Sequence, residues 1–359
     1  MKVGLAFLLL LTAPQQQKNP PPKIDAAKVE AATKAGVQYL RGQVGKKAGR
    51  TPEAGGLVLL TLVHAGVRKG DALFDELLKG LLEETLETTY RVSIQAMALE
   101  EIDRAAHQKR LFQCAQFLVD NQCANGQWSY GSPTYYPEPE PEPDYEAPSE
   151  EPKPGEKPPV RQKFRVRKQR DARDHGDNSN AQFAALGLRA CHDAGIILPP
   201  EVVRKAALWW REGQCEARGE GRGWNYGPKG NPPYGSMTAG AVAALAICDR
   251  LLGVDGTKDV DLAAGLHWLR DNYSVTENPG RNHQHHHYYL WGLERACDAT
   301  GTGMLGRADW YFEGASVLLA TQGGDGSWKK NPLDTCYAIL FLKRATRPLV
   351  DPRARDKRK

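Results

Sequence analysis

The chain has 359 residues, 41% hydrophobic and 25% charged, which suits a globular fold of one large domain or two ordinary ones. Its net charge is only +5, and basic residues cluster in one internal stretch and in the tail Arg353–Lys359 rather than interleaving with aromatics. A general nucleic-acid face is therefore excluded.

The chain opens with Lys2 and the apolar run Val3–Leu11, followed by Thr12-Ala13 and a Pro-rich stretch. The run is too short to span a bilayer and has the order of an export signal. Residues 1–24 are read as signal peptide and linker, which places the mature protein in the periplasm or outside the cell with no membrane span. The folded unit is expected over 25–346 and a basic tail over 347–359.

From there the pattern is helical, in pairs. Amphipathic helices are expected at Asp25–Gln43, Asp71–Glu87, His107–Gln122, Pro200–Gln214, Asp259–Tyr273 and Ala308–Gln322. Each precedes a more apolar, small-residue helix: Glu53–Ala65, Tyr90–Ile102, Asn180–Ala194, Met237–Leu252, His287–Thr300 and Thr335–Ala345. Gly66, Gly195, Gly253 and Gly301 follow four of these as C-terminal caps, and Pro199-Pro200 opens an amphipathic one. Apolar inner helices inside amphipathic outer ones predict an all-α fold, a closed (α/α)6 toroid. Residues 132–176 interrupt the third pair. They are Pro-dense, acidic and then basic, and are expected to form a disordered or extended excursion, with a docking arm for a protein partner as the sharper reading.

Seven cysteines are scattered through the chain, and the odd number argues against a simple disulfide framework. Cys191, Cys248 and Cys297 sit late in apolar helices as small hydrophobes, whereas Cys123 and Cys215 follow repeat glutamines, where partial access or pairing is open.

A spaced signature recurs two hundred residues apart. Phe117-Leu118, Gln122, Gly126 and Trp128 return as Val317-Leu318, Gln322, Gly326 and Trp328, with a stretched copy in Trp209-Trp210, Gln214, Gly223 and Trp224. This signature resembles the QW repeat of squalene–hopene cyclases, and the six helix pairs resemble the α/α toroid of terpenoid cyclases and protein prenyltransferase β subunits. The glutamine can satisfy backbone groups where an outer helix ends, and the tryptophan can lie across the turn with its indole bonded. Gln122, Trp128, Gln214, Trp224, Gln322 and Trp328 are accordingly structural clasps. The cyclase acid motif Asp-x-Asp-Asp is missing. Asp259-Val260-Asp261 is the nearest run and is read as a helix cap.

Parallel inner helices would gather their N-termini at one mouth, favourable for anions. The suspects there are Tyr90-Arg91, Asp177–Asn180, Ser236–Thr238, Arg281–Tyr289 and Asp334–Tyr337. The densest cluster is Asn282-His283-Gln284-His285-His286-His287-Tyr288-Tyr289. If helical, it would put His283 on one face with His286 or His287. His285-x-x-Tyr288 and Asp334-x-Cys336-Tyr337 resemble prenyltransferase zinc-ligand motifs, which implies a zinc site of His285, Asp334 and Cys336. Toroid enzymes that cleave acidic polysaccharides imply instead catalytic roles for Arg281, Asn282, His283 or His287, and Tyr288, with Trp224, Tyr226 and Tyr234 stacking on sugar; His285 is a further catalytic candidate. The favoured reading is a binding or scaffold protein holding a small molecule or glycan at the cavity mouth, with catalysis as the alternative.

Overall fold

The computed structural model describes residues 23–47, 52–147, 157–215, 219–228 and 230–346. The export signal and the basic tail expected at the two ends lie outside the described residues. Twelve α-helices occur among them, in chain order α1 (Ala26–Lys47), α2 (Pro52–His64), α3 (Ala72–Glu83), α4 (Thr89–Asp103), α5 (Gln108–Asp120), α6 (Asn178–Asp193), α7 (Pro200–Glu212), α8 (Gly235–Leu251), α9 (Val260–Asp271), α10 (His286–Thr300), α11 (Trp310–Thr321) and α12 (Pro332–Leu342). Each expected helix is present, its ends displaced by no more than about one turn. The fold is mostly helical, and its two strands are two residues each.

Capping chemistry sets many of the helix starts. Asp71, Asp177, Asp259, Asp309 and Asn331 each accept backbone N–H groups from the first turn that follows. Asp259, the nearest approach to a cyclase acid motif, is such a cap: its carboxylate takes the N–H groups of Asp261 and Leu262 at 2.8 and 2.9 Å.

Odd and even helices divide the work of burial. In α7 the buried positions are Val202, Val203, Ala206, Ala207 and Trp210, a single face. In α8 every residue from Gly235 to Asp249 is buried. Even helices pack in succession, α2 on α4, α4 on α6, α6 on α8, α8 on α10 and α10 on α12, and α12 also packs on α2. Small residues allow the close approach: a Cβ on Gly187 would meet Ser93 Cα at 2.8 Å, and one on Gly240 would meet Gln182 Oε1 at 2.0 Å.

The repeated signature builds three equivalent joints. Gln122, Gln214 and Gln322 donate their side-chain amides to the carbonyls of Val202, Asp261 and Ala32 at 2.8, 2.7 and 2.9 Å, each in the next odd helix, α1 following α11. The indole N–H groups of Trp128, Trp224 and Trp328 donate back to Leu118, Trp210 and Leu318 at 2.7, 2.8 and 2.9 Å, satisfying carbonyls near the end of their own odd helix. Gly126 and Gly326 have φ of +95° and +83°, and a Cβ on either would lie 2.4 Å from a carbonyl, that of Lys205 or of Ala35. In the stretched copy the backbone bond from Cys215 N to Gly223 O matches those from Cys123 N to Gln127 O and Gly323 N to Ser327 O. Gly223 is thus the residue after the signature glycine, whose own place is taken by Arg222. Gly221 makes the close approach there, where a Cβ would lie 2.8 Å from the Trp268 backbone.

Where it is described, the Pro-dense excursion takes the extended rather than the disordered form of the expectation, and it is packed down. Residues 148–156 lie outside the described residues. In the parts at 132–147 and 157–176, Val160, Phe164 and Val166 are buried. Strand β1 (Phe164–Arg165) pairs in parallel with β2 (Ile196–Ile197) just after α6. Gly195, at φ +83°, allows the crossing, since a Cβ there would meet Val160 Cγ2 at 2.8 Å. Three apolar side chains and main-chain pairing suffice to hold an extended segment on a preformed helical surface. No disulfide joins any of the seven cysteines, and all seven are buried, Cys123 and Cys215 included.

Candidate functional site

The loops that lead into α8 and α10 meet at one end of the molecule, held by buried asparagines. Asn278 is fully buried. Its Oδ1 accepts from Ser236 N at 2.8 Å, and its Nδ2 donates to Ser236 Oγ and to the Gln284 carbonyl at 3.1 and 3.0 Å. Asn225 donates to the Asn231 carbonyl at 2.9 Å and accepts from Gly227 N at 2.8 Å, which folds its loop back on itself. Asn178 ties that loop to the first turn of α6 through the Asn225 carbonyl at 2.8 Å, while its Oδ1 accepts from Gln127 and from the Trp209 indole. Sequence reading did not single out Asn225 or Asn278, because a lone asparagine in a polar loop looks the same whether it is buried or solvated.

These knots shape a cleft of ≈ 500 Å³ lined by Asn225, Tyr226, Pro232, Tyr234 and Arg281. The Arg281 guanidinium lies 4.4 Å from the centre of the Tyr234 ring. Tyr226 presents an exposed ring beside it. Burial, reinforced by Asp177, pushes the Tyr226 hydroxyl up to about 12. The Tyr234 hydroxyl is likewise raised by burial, with Arg281 opposing. Both phenols are neutral hydrogen-bonding groups around pH 7. Trp224, the third aromatic expected here, is fully buried in its clasp and has no face left for a ligand.

The histidine-rich segment is divided among different environments. Helix α10 begins only at His286, and His285 and Asn282 adopt left-handed φ of +54° and +51°, so the helical face that would join His283 to His286 or His287 does not form. His283 and His285 are exposed. His286 is buried with its Nε2–H on the Val275 carbonyl at 2.9 Å, and burial lowers its pKa to about 4. His287 is buried and meets Asp334 at 3.0 Å from its Nδ1, across from α10 to α12.

The residues mapped as zinc ligands are not brought together. Asp334 faces His287 rather than His285. Cys336 is fully buried beside Thr61, and burial pushes its thiol up to about 12. Among the described residues, no group of three or more His, Cys, Asp or Glu side chains is placed to hold a metal ion.

Tyr288 packs into an aromatic stack shared by four even helices. Its ring lies 6.1 Å from Phe183 of α6 and 5.5 Å from Tyr337 of α12, while Tyr90 of α4 meets Phe183 edge-on at 4.5 Å. Trp291 completes the stack, 5.1 Å from Tyr337. Large side chains therefore fill the space between α4, α6, α10 and α12, and the cleft of Tyr226, Tyr234 and Arg281 stands in front of this plug.

No known protein-family model matches the chain, and no curated protein matches it.

Proposed function

We propose that the protein is an exported ligand-binding or scaffold protein built on a closed (α/α)6 toroid of the terpenoid-cyclase and prenyltransferase repeat type, and that it takes its ligand at the cleft of Tyr226, Tyr234 and Arg281. The fold reading is supported by the three matching clasps, by α12 packing on α2 and by the bond from Gln322 to Ala32 that joins the last pair to the first. The single observation that carries the functional reading is the Arg281–Tyr234 stack beside the exposed Tyr226 ring in that cleft. The exposed Tyr226 ring and one guanidinium suit a glycan with a carboxylate: the ring stacks on a sugar face, and Arg281 takes the acid.

Titration calorimetry with oligogalacturonate tests this. Saturable binding is expected, weakened at least tenfold by Arg281→Ala and by Tyr226→Ala, with the oligosaccharide length unchanged after incubation. Equal binding by the variants, or no binding by the parent protein, would refute the site.

A catalytic reading has one observation in its favour, the His287–Asp334 pair, in which a carboxylate orients an imidazole. It expects shortening of the oligosaccharide that His287→Gln abolishes while the fold is kept; unshortened chains with the parent protein would dismiss it. The zinc-dependent alternative has no such support, since Cys336 and His285 stand apart.

A further inference from the structure

The end of the molecule opposite the cleft carries a different chemistry. There α2, α4, α6 and α12 finish around an open cavity walled by Leu60, Met97, Leu186 and Leu340, with Glu100, Glu101 and Asp193 also in its lining, and floored by Trp291 and Arg295 of α10. Arg295 is 1% exposed. Its guanidinium lies 3.6 Å from the centre of the Trp291 ring, and Nη2 donates to Gln182 Oε1 at 3.2 Å. Its Nε and Nη1 are buried and make no hydrogen bond.

A buried guanidinium costs several kcal/mol to desolvate and is ordinarily matched by a carboxylate. Arg295 has no ion pair among the described residues. Glu294, its neighbour in α10, is directed to Thr346, whose N–H and hydroxyl it takes at 2.8 and 2.7 Å. The carboxylates at the cavity are already matched: Glu100 by Arg104 at 3.9 Å as well as by Lys157, Glu101 by Lys157 at 2.9 Å, and Asp193 by Arg189 at 3.5 Å. The charge of this cavity left without an ion-pair partner is thus positive, it sits at the floor, and four apolar side chains share the lining with the paired charges.

We propose that this cavity binds a small organic monoanion, a carboxylate on an apolar body, with Arg295 as its counter-ion and Leu60, Met97, Leu186 and Leu340 around the body. The anion would take the hydrogen bonds that Nε and Nη1 leave unmade, and stacking on Trp291 holds the guanidinium flat to receive it. This site is separate from the Tyr226–Arg281 cleft and does not depend on it.

The experiment is calorimetric titration of the full chain with octanoate, 1-octanol and inorganic phosphate. Octanoate is expected to bind once per chain and to bind Arg295→Met at least tenfold more weakly. Arg281→Ala should leave octanoate binding unchanged. Ala190→Phe, which narrows the cavity and keeps Arg295, should lose octanoate as well, and it decides the matter if Arg295→Met does not fold. Four results would overturn the proposal: no octanoate binding, undiminished binding by Arg295→Met or by Ala190→Phe, octanol binding as tightly as octanoate, or phosphate binding as tightly as octanoate.

Discussion

Gln322, immediately after the last odd helix, donates its side-chain amide to the carbonyl of Ala32 in the first helix, 2.9 Å away and 290 residues earlier in the chain. The same glutamine also holds the Gly326 carbonyl of its own turn at 2.8 Å. One side chain thereby fixes a local turn and joins the two ends of the fold.

That joint has two parts with different costs. Gln322→Ala removes hydrogen bonds from a partly buried site and is expected to lower stability by about 1 kcal/mol. Gly326→Ala forces a Cβ toward the Ala35 carbonyl at a left-handed φ and should cost more, roughly 2 kcal/mol or above. Urea unfolding of both variants checks the ranking. A neutral Gly326→Ala would mean that the turn does not press on α1 as described.

Much of this architecture was legible in the amino-acid order. Helical periodicity marked all twelve helices because each must bury either one face or nearly all of its surface, and both patterns survive in composition. The clasps were legible because Gln, Gly and Trp at fixed offsets satisfy one backbone geometry. The site was less so. The αL turn at His285 rotates the histidines out of phase, which sends His287 to Asp334 and leaves His285 in solvent, and spacing alone does not reveal such a turn. The Phe164-x-Val166 alternation was the one sign that the Pro-dense excursion carries a strand, too short to stand out against its charged surroundings. Arg295 was visible as a charge inside an apolar helix, a signal to follow in similar inner helices.

Glu294 gives a pH test. It is fully buried, and burial, with Asp298 nearby, raises its pKa to about 8. Because the folded value lies above the unfolded one, near 4.5, the stabilisation from its protonated form is complete below about 4.5 and is lost as pH rises through 8. Glu294→Gln mimics the protonated side chain. The stability of the parent relative to this variant should fall between pH 5 and 8, by at most ~1.4 kcal/mol per pH unit for one proton. Chemical denaturation at stepped pH measures it, and parallel curves for the two proteins would refute the assignment.

Lys157 pins the excursion to the main body. It reaches Glu100 and Glu101, while Arg104 donates to the Pro158 carbonyl at 2.8 Å. Lys157→Met leaves Glu100 buried without its cation, and burial already raises the Glu100 pKa. A loss of about 1–3 kcal/mol is expected at pH 7. The loss should shrink as the pH falls and Glu100 takes up a proton. A loss independent of pH would show that packing, and not charge, holds Lys157 in place.

The central claim is that ligand is held between the loops leading into α8 and α10. Hydrogen–deuterium exchange of the full chain with and without oligogalacturonate tests it most directly. Slowed exchange confined to peptides containing Asn225–Gly227, Asn231–Tyr234 and Gly280-Arg281, absent in Arg281→Ala, is the predicted result. Saturated binding with unchanged exchange in those peptides, or with protection only around other parts of the fold, would contradict it.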